Sequence, residues 1–224
     1  MATPSRAQAA QYSVNRAGWE AVRQSLYDFQ QYPAAGVTQL SFFNLPVGQG
    51  TSWAGGGTKN LSDTNLSVSG MLPANQEYLI QSIELVFLPG TPTVAAVMPS
   101  AFGAQAVAAQ VNDTYIFRRA GNLTLVIGSK PYLQEAPLAR FPSKTHFEVN
   151  AALADVTTAG ASLQSRIAAA HMAGRPYLLS PVEILLPQNQ NFNITLNWPE
   201  GVQAISNPAR VGVILDGILY RKSQ

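Results

Sequence analysis

The chain has two histidines and no cysteine, and that pair of facts narrows its possible chemistry more than any other. His146 lies in Lys144-Thr145-His146-Phe147-Glu148, a strand-like run, and His171 lies in a separate Ala-rich segment. Nucleophilic hydrolysis needs a Ser or Cys beside a base that a carboxylate orients, and no G-x-S-x-G elbow occurs. Zinc and other transition metals need clustered Cys and His, which two isolated histidines do not supply. Calcium needs grouped oxygens, and Asp63 with Asn60, Thr64 and Asn65 is the one candidate, without the spacing of a known loop. The twelve carboxylates are scattered along the chain, with no pair in a recognisable glycosidase setting. Gly55-Gly56-Gly57 lacks the Lys and the strand–helix setting of a phosphate loop. The expectation is a chain with no catalytic, metal-binding or cofactor-binding residues. His146 is expected at a surface or interface.

Aromatic side chains offer a different chemistry, that of contact. Most of them fall inside or at the ends of strand-like runs, where core packing is their default. Trp19, Trp53 and Phe102 lie outside those runs. With Phe29 and the terminal Arg221 and Lys222, they form the candidate interface set. Basic residues cluster no further than Arg118-Arg119 and Arg221-Lys222, so nucleic-acid binding is not expected.

The elements that must position these residues read as β. Val37 to Leu45, Asn65 to Met71, Tyr78 to Leu88, Thr114 to Arg118, Leu123 to Ile127, His146 to Val149, Val182 to Leu186, Phe192 to Trp198 and Val211 to Tyr220 alternate or carry β-prone residues between turn signals. Ala120-Gly121-Asn122 predicts a hairpin turn between two of them. The motif L-P-x-N-Q-x-aromatic-x-I occurs twice, at Leu72–Ile80 and at Leu186–Ile194. Each copy is a Pro-led turn feeding an alternating run, one strand-entry device used twice, by duplication or by coincidence. Val211, Val213 and Leu215 oppose Gly212, Ile214 and Asp216, so the last strand should be central, with a bulge or bend at Asp216-Gly217. Trp19, Val22 and Leu26 sit at helical spacing, which predicts a short helix or an extended arm. Thr93 to Gln110 is expected to be a loop with one helical turn. Leu153 to Gly174 is expected to be a short helix or a long surface loop.

These elements predict an all-β antiparallel jelly roll or β-sandwich of about eight or nine strands with short helical insertions. A lectin or fibronectin-type sandwich is the nearest alternative. Residues 1–36 are expected to form an N-terminal arm with a possible short helix, and residues 37–224 a single jelly-roll domain. Only 12% of residues are charged, about half the usual share, against 46% hydrophobic. The formal charge is +2. A surface whose polarity is mostly Asn, Gln, Ser and Thr favours an assembly subunit, a trimer or larger, over a free enzyme. No apolar stretch is long enough to span a bilayer, and no apolar segment follows Met1–Arg6, so neither a membrane span nor a signal peptide is expected.

Four stretches carry a resemblance. Leu40-Ser41-Phe42-Phe43-Asn44-Leu45-Pro46 with Gly48 and Gly50, and Thr64-Asn65-Leu66 leading to Gly70-Met71-Leu72-Pro73, are the first two. Gly128-Ser129-Lys130-Pro131-Tyr132 and Arg210 to Arg221 are the others. Across about residues 37 to 221 the chain resembles structural proteins of tailless or tailed bacteriophages. The resemblance implies a jelly-roll capsid or capsid-associated protein, made in the cytoplasm of a bacterial host, located in the virion, and partnered by its own copies and other virion proteins. The Ala-rich segments lie outside it. The alternatives are a virion decoration or receptor- or carbohydrate-binding module, and more remotely a carbohydrate-active enzyme.

Overall fold

The computed structural model describes residues 18–52, 57–90, 112–153, 165–173 and 175–222. The strands among them are β1 (Trp19–Arg23), β2 (Leu26–Tyr32), β3 (Gln39–Phe42), β4 (Gln76–Leu88), β5 (Asn122–Ile127), β6 (Lys130–Glu135), β7 (Thr145–Leu153), β8 (Ser165–Ala173), β9 (Tyr177–Leu178), β10 (Ile184–Leu186), β11 (Phe192–Asn197) and β12 (Ala209–Lys222). A helix, α1, covers residues 112–119.

Two antiparallel sheets face each other. The first runs β1–β12–β4–β10, with β2 continuing the β1 edge along β12 and β9 continuing the β10 edge along β4. The second runs β3–β11–β5–β6. The pairing is nested: the first strands pair with β12, β3 with β11, β4 with β10, and β5 with β6. A long antiparallel ribbon rolled around a core gives this order, and it defines a jelly roll. Period-two burial explains how the sequence fills it. In β5 the buried residues Leu123, Leu125 and Ile127 alternate with half-buried ones, and in β11 Ile194 and Leu196 face the same way. From the first sheet, Ile80, Leu85, Val213 and Leu215 meet them, all fully buried.

β12 is the central strand that its two apolar faces predict, paired to β1 and β2 on one side and to β4 on the other. Its core face is Val211, Val213 and Leu215, while Ile214 is half-buried on the outer face on the rung of Glu84 and Tyr27. The ladder to β4 shifts between Asp216 and Gly217, where Asp216 pairs Ser82 and Gly217 pairs Ile80. The extra residue is therefore Gln81 of β4. It lets Tyr78 and Ile80 on one parity and Ile83, Leu85 and Phe87 on the other all face the core.

Five expectations change. Residues 19–32 form β1 and β2 of the first sheet rather than a short helix or a free arm. The open edge of a fourteen-residue β12 outweighs the helical spacing of Trp19, Val22 and Leu26. Thr114 to Arg118 is part of α1, not a strand. Tyr115 is 65% exposed and Phe117 fully buried, whereas a strand would have put both on one face. Phe117 stacks on Phe87 at 4.3 Å and meets Tyr32 and Trp198 at 5.4 Å, so α1 plugs one end of the sandwich with aromatic rings. The hairpin at this point is β5–β6, turning at Gly128 (φ 61°) instead of Ala120-Gly121-Asn122. In the Leu153 to Gly174 stretch, Ser165–Ala173 is β8, which pairs with β7 over nine rungs, from Thr145↔Ala173 to Leu153↔Ser165. This two-stranded ribbon is inserted between β6 and β9. Asn65 to Met71 holds one isolated bridge, Val68 to Met71, rather than a strand. Thr93 to Gln110 lies outside the described residues.

Both copies of the L-P-x-N-Q motif are the turns expected of them. Asn75 and Asn189 have φ of 66° and 55°, a left-handed conformation that Asn tolerates. The turns also meet: the Asn75 N–H donates to Gln188 Oε1 at 2.8 Å, and the Asn189 N–H to Leu72 O at 3.3 Å.

Two outcomes follow for stability. A Cβ at Gly217 would collide with the Leu79 carbonyl oxygen and its carbon, both backbone atoms. Gly217→Ala should cost about 1–3 kcal/mol in urea unfolding, and a neutral result would place the bulge elsewhere. Deleting residues 1–30 removes β1, most of β2 and the buried Leu26 and Asp28. The truncated chain should lose its cooperative thermal transition by circular dichroism, and retention of that transition would show that β2 is dispensable.

Candidate interaction surface

The long connection from β3 to β4 is tied down by one buried pair. Asp28 of β2 is 1% exposed and Lys59 is 4% exposed. Lys59 Nζ donates to Asp28 Oδ1 at 2.6 Å, and the Phe43 N–H donates to Asp28 Oδ2 at 2.7 Å. Around them the connection zips onto β2. The Phe29 N–H reaches Asp63 O at 2.7 Å, the Tyr27 N–H reaches Asn65 Oδ1 at 3.0 Å, and Asn65 Nδ2 donates to Ser25 O at 2.7 Å. The outer edge of β2 is thus closed by side chains and loop backbone. Burial pushes the Asp28 carboxyl up, and the Lys59 ammonium pulls it back.

Asp63, the centre of the only calcium-like grouping in the sequence, is occupied within this lock. Its Oδ2 accepts from the Asn60 N–H at 3.3 Å, and its Oδ1 lies 3.3 Å from Arg210 Nη2. Among the described residues no group of three or more His, Cys, Asp or Glu is placed to hold a metal ion. His146 and His171 lie on adjacent rungs of the β7–β8 ribbon, His146 opposite Met172 and His171 opposite Phe147. Among the described residues no helix is long and apolar enough to cross a membrane.

The outer face of the second sheet is uncharged. Its rungs read Gln39–Asn197–Asn122 and Ser41–Thr195–Thr124, with Asn193 and Val126 on the next. These are the residues that alternate with the buried Phe42, Ile194, Leu196, Leu123 and Leu125. Asn197 Nδ2 donates to Asn122 Oδ1 across the strands at 3.2 Å. At one end the face runs into a cleft of about 350 Å³ lined by Asn44, Ser69, Asn191 and Asn193 over Val126 and Phe192. The Asn193 Oδ1 there is buried without a hydrogen-bond partner among the described residues.

The opposite edge of the sandwich from β2 is open. β10 and β6 are the last strands of their sheets. Between them lies a groove of about 550 Å³ lined by Leu133, Leu179 and Ile184 and rimmed by Tyr132, Val182 and Leu185. Tyr132 is 53% exposed, Val182 66% and Leu185 47%. Contiguous exposed apolar side chains of this kind make this edge a candidate contact surface.

Of the residues chosen from sequence, Trp19, Phe29, Arg221 and Lys222 are described, and they lie away from this groove. Trp19 is half-buried at the end of β1, on the rung of Lys222, and the Glu20 carboxylate beside it pairs with Arg221. These form one corner of the first sheet. The exposed Lys222 has its backbone N–H on Asn75 O at 3.1 Å. Phe29 is apart from them. Its ring fills the space above Gly212 and lies 4.4 Å from the Arg210 guanidinium carbon. Trp53 and Phe102 lie outside the described residues. The groove residues carried one legible signal, the run Ile184-Leu185-Leu186: in a strand its middle member must face away from the other two. Lys59 had none, because a lysine in a Gly-rich connection reads as solvated.

No protein-family model, no curated protein and no solved structure matches the chain. The class rests on the fold itself: an all-β jelly-roll sandwich with one edge locked by its own loop and the other open and apolar.

Lys59→Met tests the lock. Without the ammonium, burial acts on Asp28 against only the hydrogen bonds from the Phe43 N–H and Thr64, and the folded-state pKa moves further above its unfolded value. Folded protein then binds the proton more tightly than unfolded protein. The carboxyl is therefore tolerated at low pH, and stability is lost as pH rises through the folded value. The variant should be less stable by about 3–5 kcal/mol at neutral pH, with the deficit shrinking toward about pH 4. Urea unfolding at both pH values checks this, and a deficit independent of pH would remove Asp28 as its source.

Proposed function

We propose that the protein is a non-enzymatic structural subunit of a bacterial-virus particle, a jelly-roll capsid protein that assembles with its own copies. The observation that carries this reading is the pairing of an uncharged outer sheet face with an open, apolar sandwich edge in one small domain. A sheet face exposed for its whole life normally carries charges that keep neighbours apart. A face of amides and hydroxyls can instead be covered without stranding a buried charge. The jelly roll supplies rigidity, and its connections and open edge supply the contacts. The motifs at Leu40–Pro46, Gly128–Tyr132 and Arg210–Arg221 support the same reading through their resemblance to phage structural proteins.

One observation favours a second reading. The amide-lined cleft at Asn44, Asn191 and Asn193, whose Asn193 Oδ1 has no partner among the described residues, has the hydrogen-bonding character of a site for a neutral sugar. That would suit a decoration or attachment module of the virion.

Negative-stain microscopy and sedimentation of the purified protein separate the two. Closed shells or large oligomers are expected, since stable interfaces bury upward of about 1,000 Å². A discrete trimer that binds a glycan would favour the second reading, and a monomer at every concentration would remove both. Val182→Asp with Leu185→Asp should leave unfolding within about 0.5 kcal/mol of the parent, as exposed sites do, while lowering the sedimentation coefficient. Unchanged assembly would mean the open edge is not a contact.

A further inference from the structure

The groove between β6 and β10 has the shape and chemistry to take one more strand. Both bordering strands end their sheets among the described residues, so each presents an edge of unpaired backbone groups. An extended segment laid there can pair with one edge and turn alternate side chains into the apolar lining. The groove also holds an unsatisfied acid. Glu183 Oε1 accepts from Gln81 Nε2 at 2.9 Å, while its buried Oε2 has no hydrogen-bond partner among the described residues. The matching occupant is an amphipathic strand that carries a basic residue on its apolar face.

The chain contains such a segment in the residues ahead of β1. In Ala10-Gln11-Tyr12-Ser13-Val14-Asn15 every apolar residue is followed by a polar one, the period of a half-buried strand. Arg16 continues the parity of Tyr12 and Val14, so in an extended chain it falls on their face. The first acidic residue of the sequence is Glu20, which leaves this stretch purely basic. We propose that residues 10–16 of a second copy add as a strand in the β6–β10 groove, with Tyr12 and Val14 on its apolar lining and Arg16 at Glu183.

Reach favours a second copy over the same chain. β1, where the segment joins the fold, lies on the far edge of the first sheet from β10. Five residues from Val14 to Trp19 extend at most about 17 Å. Crossing three strand spacings takes about 14 Å, before any turn over the sheet rim or descent between sheets about 10 Å apart. A connection within one chain would be taut, whereas one from a neighbour is free of this limit. The inference rests on the assembly reading for why copies meet, and it names the parts that join them.

The absence of cysteine makes a cross-link test clean. Full-length Tyr12→Cys and Val182→Cys variants, carrying tags of different mass, are mixed at assembling concentration and oxidised. The expected result is a mixed disulfide dimer as the main product. It should be lost when Val182→Cys is replaced by Leu61→Cys, an equally exposed site outside the groove at 68%. It should also be lost when Val14→Asp is added to the Tyr12→Cys chain. A double variant that closes only within one chain would overturn the second-copy assignment, and no disulfide in either format would overturn the groove assignment. Microscopy of the parent in parallel keeps the two readings apart. Shells without the cross-link retire the groove and leave the capsid reading, while the cross-link without shells keeps the groove and retires the capsid reading.

Discussion

One extra residue in β4 sets the geometry of the first sheet. A strand shifted by one residue turns every side chain to the opposite face, so β4 and β12, the two longest strands, need a register that buries both of their halves. Gln81 provides it, standing outside the ladder to β12 while Gly217 opposite leaves space for the Leu79 carbonyl. The consequences reach the open edge. The Gln81 carbonyl accepts from the Leu179 N–H at 3.0 Å, and its amide holds Glu183. The same bulge that aligns the core therefore anchors the short strands that border the groove.

The distribution of the few charges is the second organising fact. Asp28 with Lys59 and Asp63 with Arg210 fasten the β3–β4 connection to the first sheet. Lys144 pairs with Asp216 and lies 3.2 Å from the buried Glu84, at the point where the β7–β8 ribbon leaves the fold. The outer face of the second sheet has none of these pairs. The two broad faces of the sandwich thus differ in kind, one knitted by ion pairs to its own loops and one uncharged.

The ribbon β7–β8 extends the theme. Nine rungs correspond to about 30 Å of strand, and a lone two-stranded ribbon is marginal in water. In the chain it is inserted between β6 and β9. Long insertions on a rigid β scaffold are where family-specific contacts are usually built.

The β character, the central position of β12, the break at Asp216-Gly217 and the two Asn turns were all legible in the residues, because alternation and left-handed turn chemistry are local properties. The low charge was legible for the same reason, since composition needs no fold. What stayed hidden depended on partners distant in the chain. Trp19, Val22 and Leu26 have helical spacing, yet β12 offered them an edge. Thr114 to Arg118 is rich in β-prone residues, yet burying Phe117 against Phe87 and Trp198 required a helix. Neither the burial of Lys59 beside Asp28 nor the meeting of Tyr132 with Leu185 across two sheet edges has any signature within a few residues. The order in which the strands nest, and so which edge is locked and which is open, was decided by long-range pairing alone.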